Sequence, residues 1–186
     1  VSNMLQIRTW MQSYLEEGKE ITLSPLPMYH IFAFSVNCLA MLSYGAHTVL
    51  VTNARDLSSI VKEFNRSKIS LMTGLNTLFN ALLNNEEFRK CDFSSLKITV
   101  GGGMAIQRVV ADRWKEVTGC PLTEGYGMTE SSPLISVNPL DGGKDGSIGL
   151  PVSSTDIRIM KEDGTLAGYN EIGEIQCKGP QVMAGY

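Results

Sequence analysis

The sequence predicts an α/β fold: a parallel sheet covered by helices on both faces, followed by a short antiparallel β region that begins a barrel-like subdomain. Three observations carry this expectation. Between residues 20 and 140, short β-branched or leucine-rich runs alternate with segments whose apolar residues recur at helical spacing. That alternation is the pattern of parallel strands joined by crossover helices. Two of the strand-like runs end in glycine-rich turns, Gly101-Gly102-Gly103 and Gly125-Tyr126-Gly127. After Asn138 the pattern changes to short strands parted by turns at Asp163-Gly164 and Gly168, which reads as antiparallel β. The chain divides accordingly into residues 1–19, the tail of a helix from a preceding segment; 20–140, an α/β subdomain; and 141–186, the start of the antiparallel part.

Each element has its own local signal. Met4, Leu5, Trp10, Met11, Tyr14 and Leu15 form a rough helical stripe over residues 1–17, stopped by Gly18. ITLSPLP is a short strand broken by Pro25 and Pro27. Residues 28–42 are apolar on nearly every side apart from His30, Ser35 and Asn37. The run falls short of the roughly 20 apolar residues of a membrane span and reads as a helix buried in the core or lining a cavity. Residues 47–52 are a β-branched strand. Leu57, Ile60, Val61 and Phe64 mark a helix capped by Asp56. Strands at 69–73 and 96–100 flank a helix marked by Leu75, Leu78, Phe79 and Leu82. Ile106, Val109, Val110, Trp114 and Val117 make the next helix, ended by Gly119, before a strand at 121–124.

Composition narrows the function classes. Among 186 residues, 43% are hydrophobic and 19% charged, with a formal net charge of −3. That balance suits a globular protein and lacks the basic footprint of a nucleic-acid binder. Cys38, Cys91, Cys120 and Cys177 are widely spaced, with no CxxC pair, so neither a zinc site nor a disulfide framework is indicated and a reducing cytoplasm is the simplest compartment.

Chemistry concentrates in PLTEGYGMTESS, residues 121–132. Gly125 and Gly127 allow a tight turn and close approach of a ligand to the main chain. Tyr126 offers a ring for a purine, and base-on-aromatic stacking is worth roughly 1–3 kcal/mol. Thr129 supplies a hydroxyl, and Glu130 supplies hard oxygens suited to magnesium held against phosphate. These are the parts needed to hold a nucleoside triphosphate. The same letters also fit a strand ending in a polar loop. The glycine triplet begins a GxGxxG spacing, but Ile106 stands in the third place, so the dinucleotide fingerprint fails. Read alone, the triplet is an ordinary strand-to-helix turn.

EGYGMTE resembles the central motif of the adenylate-forming enzymes, the superfamily of acyl-CoA synthetases, firefly luciferase and peptide-synthetase adenylation domains. LSPLPMYHIF, TGLNTLFNALLNN, DFSSLKITVGGGM, EGYGMTE, GSIGLPV and GEIQCKGPQVMAGY follow the order of the bacterial long-chain fatty acid–CoA ligases, covering residues 22–186 nearly without a gap. The resemblance implies ATP, magnesium, coenzyme A and a fatty acid as ligands, with the acid activated as an acyl-adenylate and passed to the thiol. It makes Gly101, Gly102 and Gly103 one wall of an adenine pocket opposite Tyr126. Glu124, Gly125, Gly127, Met128 and Thr129 complete the nucleotide site, although Glu124 reads equally as a strand-end carboxylate in water. Thr129 would contact a phosphate and Glu130 would hold the metal; these two are the candidate catalytic residues.

His30, by its letters a structural residue or helix cap, becomes substrate-proximal by resemblance. Met28, Phe32, Phe34 and Met41 are core residues or tunnel lining. Amino-acid adenylation is disfavoured because residues 29–34 carry no acid to pair with an ammonium group. Medium-chain or aryl acids and a non-catalytic nucleotide-binding module stay open. The resemblance also places a phosphate loop before residue 1, and a ribose-binding aspartate and mobile catalytic domain after residue 186. The chain alone is therefore expected to be inactive. A homodimeric parent, or one held at the inner face of the membrane, is compatible with the same reading.

Overall fold

Five short runs of residues that favour extended backbone lie parallel in the computed structural model, which describes residues 1–144 and 146–186. They are β1 (Ile21–Ser24), β2 (His47–Leu50), β3 (Leu71–Gly74), β4 (Ile98–Gly101) and β5 (Leu122–Gly127). Two antiparallel strands, β6 (Leu134–Val137) and β7 (Leu150–Pro151), extend the same sheet, whose order is β2-β1-β3-β4-β5-β6-β7. The register sets Gly74 beside Gly101 and Gly101 beside Glu124, so the strand ends form one edge. β8 (Asp156–Met160) and β9 (Glu174–Lys178) pair separately as an antiparallel ribbon. The division expected at residue 141 falls in the loop before β7; Asp145 of that loop lies outside the described residues. β7, beyond the loop, still belongs to the large sheet.

Side chains alternate across the strands, as the pleat requires. Leu23 and Met72 face one layer, built by α3 (Leu57–Arg66), α4 (Asn76–Leu83) and α5 (Arg108–Thr118). Leu71, Ile98 and Val100 face the other, built by α1 (Ser2–Met11) and α2 (residues 31–43). The first layer is aromatic at its centre. The Phe79 and Trp114 rings meet edge to face at 4.8 Å, and the Trp114 indole donates to the Thr99 hydroxyl at 3.2 Å.

The helices with clear sequence signals form as those signals dictate. Asp56 accepts the N–H groups of Ser58 and Ser59 at 3.1 and 3.3 Å, satisfying the first turn of α3. Gly119, at φ 73°, closes α5 in the left-handed conformation.

Two helices depart from expectation. α1 ends at Met11, before Gly18, and its buried face is Asn3, Gln6, Ile7 and Met11, while Leu5 of the expected stripe is half exposed. The reason is that Asn3 and Gln6 find hydrogen-bond partners inside, which makes their burial tolerable. α2 is not buried on every side. Tyr29 before it, and Phe34 and Leu42 within it, are exposed, because only one face packs on the sheet. Its middle, Phe34–Ala40, is wound as a π-helix. There the buried Asn37 amide donates to Ser24 at 2.8 Å and Thr73 at 2.7 Å, binding α2 to β1 and β3. Among the described residues no helix is long and apolar enough to cross a membrane.

Candidate functional site

A cavity of about 330 Å³ opens where β4 and β5 end. This carboxyl edge is where open parallel sheets gather ligands. Its polar half comes from the two glycine turns. Gly101, Gly102 and Gly103 line one part, and Gly125, Tyr126, Gly127, Met128, Thr129 and Glu130 line another. The backbone explains why these positions stay small. A Cβ on Gly127 would stand 1.9 Å from the Pro133 carbonyl oxygen, and Gly103 has φ 74°. The register shifts between Tyr126 and Gly127, and such a bulge re-aims the side chain beside it. Tyr126 is half-buried, with its ring at the cavity wall.

Thr129–Ser131 form a single 3-10 turn, closed by the Ser131 N–H donating to the Met128 carbonyl at 3.0 Å. Glu130 is on this turn. Its Oε1 accepts the Tyr186 hydroxyl at 2.6 Å. That donor holds the Glu130 carboxyl below the usual carboxylate range, and the same contact pushes the Tyr186 phenol up. Among the described residues no three His, Cys, Asp or Glu side chains cluster as a self-sufficient metal cage. One carboxylate beside one hydroxyl fits magnesium that takes its remaining ligands from phosphate and water.

His30 is on the rim. It caps α2, with Nδ1 accepting the Phe32 N–H at 3.2 Å, so Nε2 is the nitrogen left to meet a ligand. A helix-capping role and a place on the cavity rim coincide in this one residue. Of the four side chains with open readings, Phe32 lines the cavity, while Met41 is fully buried and Phe34 is exposed. Glu124 is not among the lining residues. Its carboxylate accepts the Ile106 N–H at 3.3 Å and borders a separate polar hollow of about 290 Å³, with Lys115 and Lys144.

The apolar half of the cavity contains residues that sequence reasoning did not assign to a site. Ile7, Trp10 and Met11 come from α1, Val36 from α2, and Leu134 and Val137 from β6. No local pattern reports them, because they meet Tyr126 and Glu130 only through the tertiary fold.

The AMP-binding enzyme family model matches residues 1–186. The long-chain-fatty-acid–CoA ligase of Haemophilus influenzae is 56% identical over 87% of the chain, which is 29% of that protein. The same-named ligase of Yersinia pestis is 49% identical over the whole chain, which is 33% of that protein. In structure, the O-succinylbenzoate coenzyme A synthetase of Bacillus subtilis in complex with ATP and magnesium ion matches with a TM-score of 0.83 at 27% identity, over 99% of this chain and 38% of that one. The chain thus spans about a third of the length of the ligases it matches, and it belongs to the AMP-binding enzyme family.

Proposed function

We propose that the protein carrying this chain is an ATP-dependent long-chain fatty acid–CoA ligase. The observation that carries the reading is the two-part cavity: a glycine, tyrosine and carboxylate wall facing an apolar wall from α1 and α2. In this reading the nucleotide base lies between Tyr126 and the Gly101–Gly103 bend. The acyl chain runs along Ile7, Trp10, Met11 and Phe32, bringing its carboxylate to the phosphates near Thr129 and His30.

The fatty carboxylate is ionised at neutral pH and is itself the nucleophile, so the chain need supply no base for the first step. Its oxygen attacks the α-phosphate of ATP, the bond to the β-phosphate oxygen breaks, and pyrophosphate leaves with that electron pair. The thiol of coenzyme A, losing its proton to solvent, then adds to the acyl carbonyl, and AMP departs with the electron pair of the acyl carbon–phosphate oxygen bond. Positioning and charge neutralisation dominate such chemistry. Glu130 is the residue that would hold magnesium, which when bound neutralises phosphate charge, and Thr129 would contact a phosphate. The long-chain relatives support a fatty acid over aryl or medium-chain acids, and the absence of an acid at residues 29–34 argues against an amino acid.

Glu130→Ala in the full-length protein tests the reading. Fatty-acid-dependent release of pyrophosphate from ATP should fall at least about 100-fold, a loss of roughly 2.7 kcal/mol in transition-state stabilisation, while fatty acid binding stays within about twofold. Unchanged pyrophosphate release would remove Glu130 from the metal role. The chain by itself should form no acyl-CoA from ATP, magnesium, fatty acid and coenzyme A. Thioester formation by the isolated chain would overturn that part of the proposal.

A further inference from the structure

The turn that bears Glu130 is held from outside. The Met183 N–H donates to the Glu130 carbonyl at 2.8 Å, the Ser132 hydroxyl donates to the Gln181 carbonyl at 3.0 Å, and Tyr186 reaches the Glu130 carboxylate. Residues 181–186 are therefore the bracket of this turn. The bracket is itself anchored by a buried side chain. Gln181 is 4% exposed, and its amide donates to the Thr155 hydroxyl at 2.7 Å and accepts from the Gln6 amide at 3.2 Å.

The circuit closes through α1. Gln6 also donates to the Ser153 carbonyl at 2.6 Å, and Asn3 donates to Gln6 at 2.9 Å. Asn3 pairs in both directions with the Leu134 backbone, at 2.8 and 2.9 Å, just after the Glu130 turn. The next residues of α1, Ile7, Trp10 and Met11, form the apolar wall of the cavity. Three buried amides thus join the apolar wall to the carboxylate turn. Burying such groups is costly unless every one is satisfied, and catalytic groups must be held within about 0.5 Å of their working geometry.

We infer that Gln181 is a positioning residue, which through residues 181–186 and the Asn3–Gln6 pair sets the Glu130 carboxylate at the distance from the apolar wall that metal-assisted adenylation needs. The inference rests on the ligase reading above. It assigns to Gln181 no contact with substrate, so its removal should weaken use of the metal while leaving acyl binding alone.

The test is magnesium dependence, in the full-length protein, of fatty-acid-driven ATP–pyrophosphate exchange and, with no fatty acid present, of ATP binding followed by calorimetry; the two midpoints should move together. Gln181→Leu keeps the bulk and removes the amide. It should raise the magnesium concentration for half-maximal exchange about tenfold, with KM for fatty acid within about twofold. Tyr186→Phe, at an exposed site where loss of one hydroxyl does not threaten folding, should raise it about threefold. Asp56→Ala, which removes the α3 cap away from the cavity, should lower the melting temperature without moving the magnesium midpoint. An unshifted midpoint in Gln181→Leu overturns the inference and leaves the ligase reading standing. So does an equal shift in Asp56→Ala. If Gln181→Leu yields no folded protein, Tyr186→Phe decides alone, and an unshifted midpoint there overturns the inference. Absence of exchange from the unaltered protein overturns the ligase reading and this inference with it.

Discussion

At the scale of single residues, what the letters disclose depends on how far each residue must reach. Tyr126, Glu130, Gly125 and Gly127 lie within six positions of each other, so one stretch displays them together. Trp10 acts on the same cavity across more than a hundred residues, and nothing near it in sequence reports that. Glu124 differs: it neighbours the motif, but its carboxylate accepts the Ile106 N–H away from the cavity. Gly127 is the sharpest single-atom constraint. A Cβ there would overlap the Pro133 carbonyl, so Gly127→Ala must displace the Glu130 turn. Gly119→Ala is the comparison, since φ 73° strains an alanine by about 1–2 kcal/mol but leaves open space around it. Calorimetric titration of the full-length protein with ATP and magnesium should show at least about tenfold weaker binding for Gly127→Ala and unchanged binding for Gly119→Ala. Equal affinities in the two would show that the turn tolerates displacement.

At the scale of elements, legibility followed amphipathicity and caps. α3 and α5 carry apolar residues at helical spacing and recognisable ends, so both were readable within two residues. α1 was misread because amides, not hydrocarbons, make part of its inner face. β6 was unassigned because four residues of Leu-Ile-Ser-Val become a strand only by pairing with β5. A polar anchor at the opposite edge of the sheet shows the same dependence on distant partners. Glu20, 2% exposed, accepts the Glu16 N–H at 2.7 Å and the Lys97 ammonium at 2.7 Å, joining the loop after α1 to the start of β4. Burial pushes its carboxyl up, but these donors outweigh burial and hold it below the ordinary value. The resulting stability is present above the unfolded carboxylate pKa of about 4.3 and disappears as pH falls through the lower folded value. Glu20→Gln should therefore cost about 1–2 kcal/mol at pH 7, limited by solvent around the partly exposed Lys97. The gap in melting temperature between the two proteins should narrow below about pH 4. A gap independent of pH would mean that packing, not charge, is what Glu20 contributes.

At the scale of the whole molecule, the sheet separates two tasks. One face packs Phe79, Phe88 and Trp114 into a closed core, while the other shares its space between α1, α2 and the cavity. Alternating strands and helices made the parallel sheet readable; strand order and the antiparallel extension by β6 and β7 were not, because pairing is non-local. The partition is one residue thick. Thr99 takes the Trp114 indole N–H on one side, and the next residue, Val100, lines the cavity on the other. Trp114→Phe leaves a gap and removes that hydrogen bond, which together should cost about 1–3 kcal/mol. If the two faces melt as one cooperative unit yet bind independently, ligand stabilisation adds to this loss without change. ATP and magnesium at 100 times their dissociation constant stabilise a single-site protein by about 2.7 kcal/mol. Denaturant unfolding of full-length Trp114→Phe should show that same increment from a lower starting point. A smaller increment would mean that damage to the aromatic core reaches the cavity edge through β4, and that the sheet transmits strain between its faces.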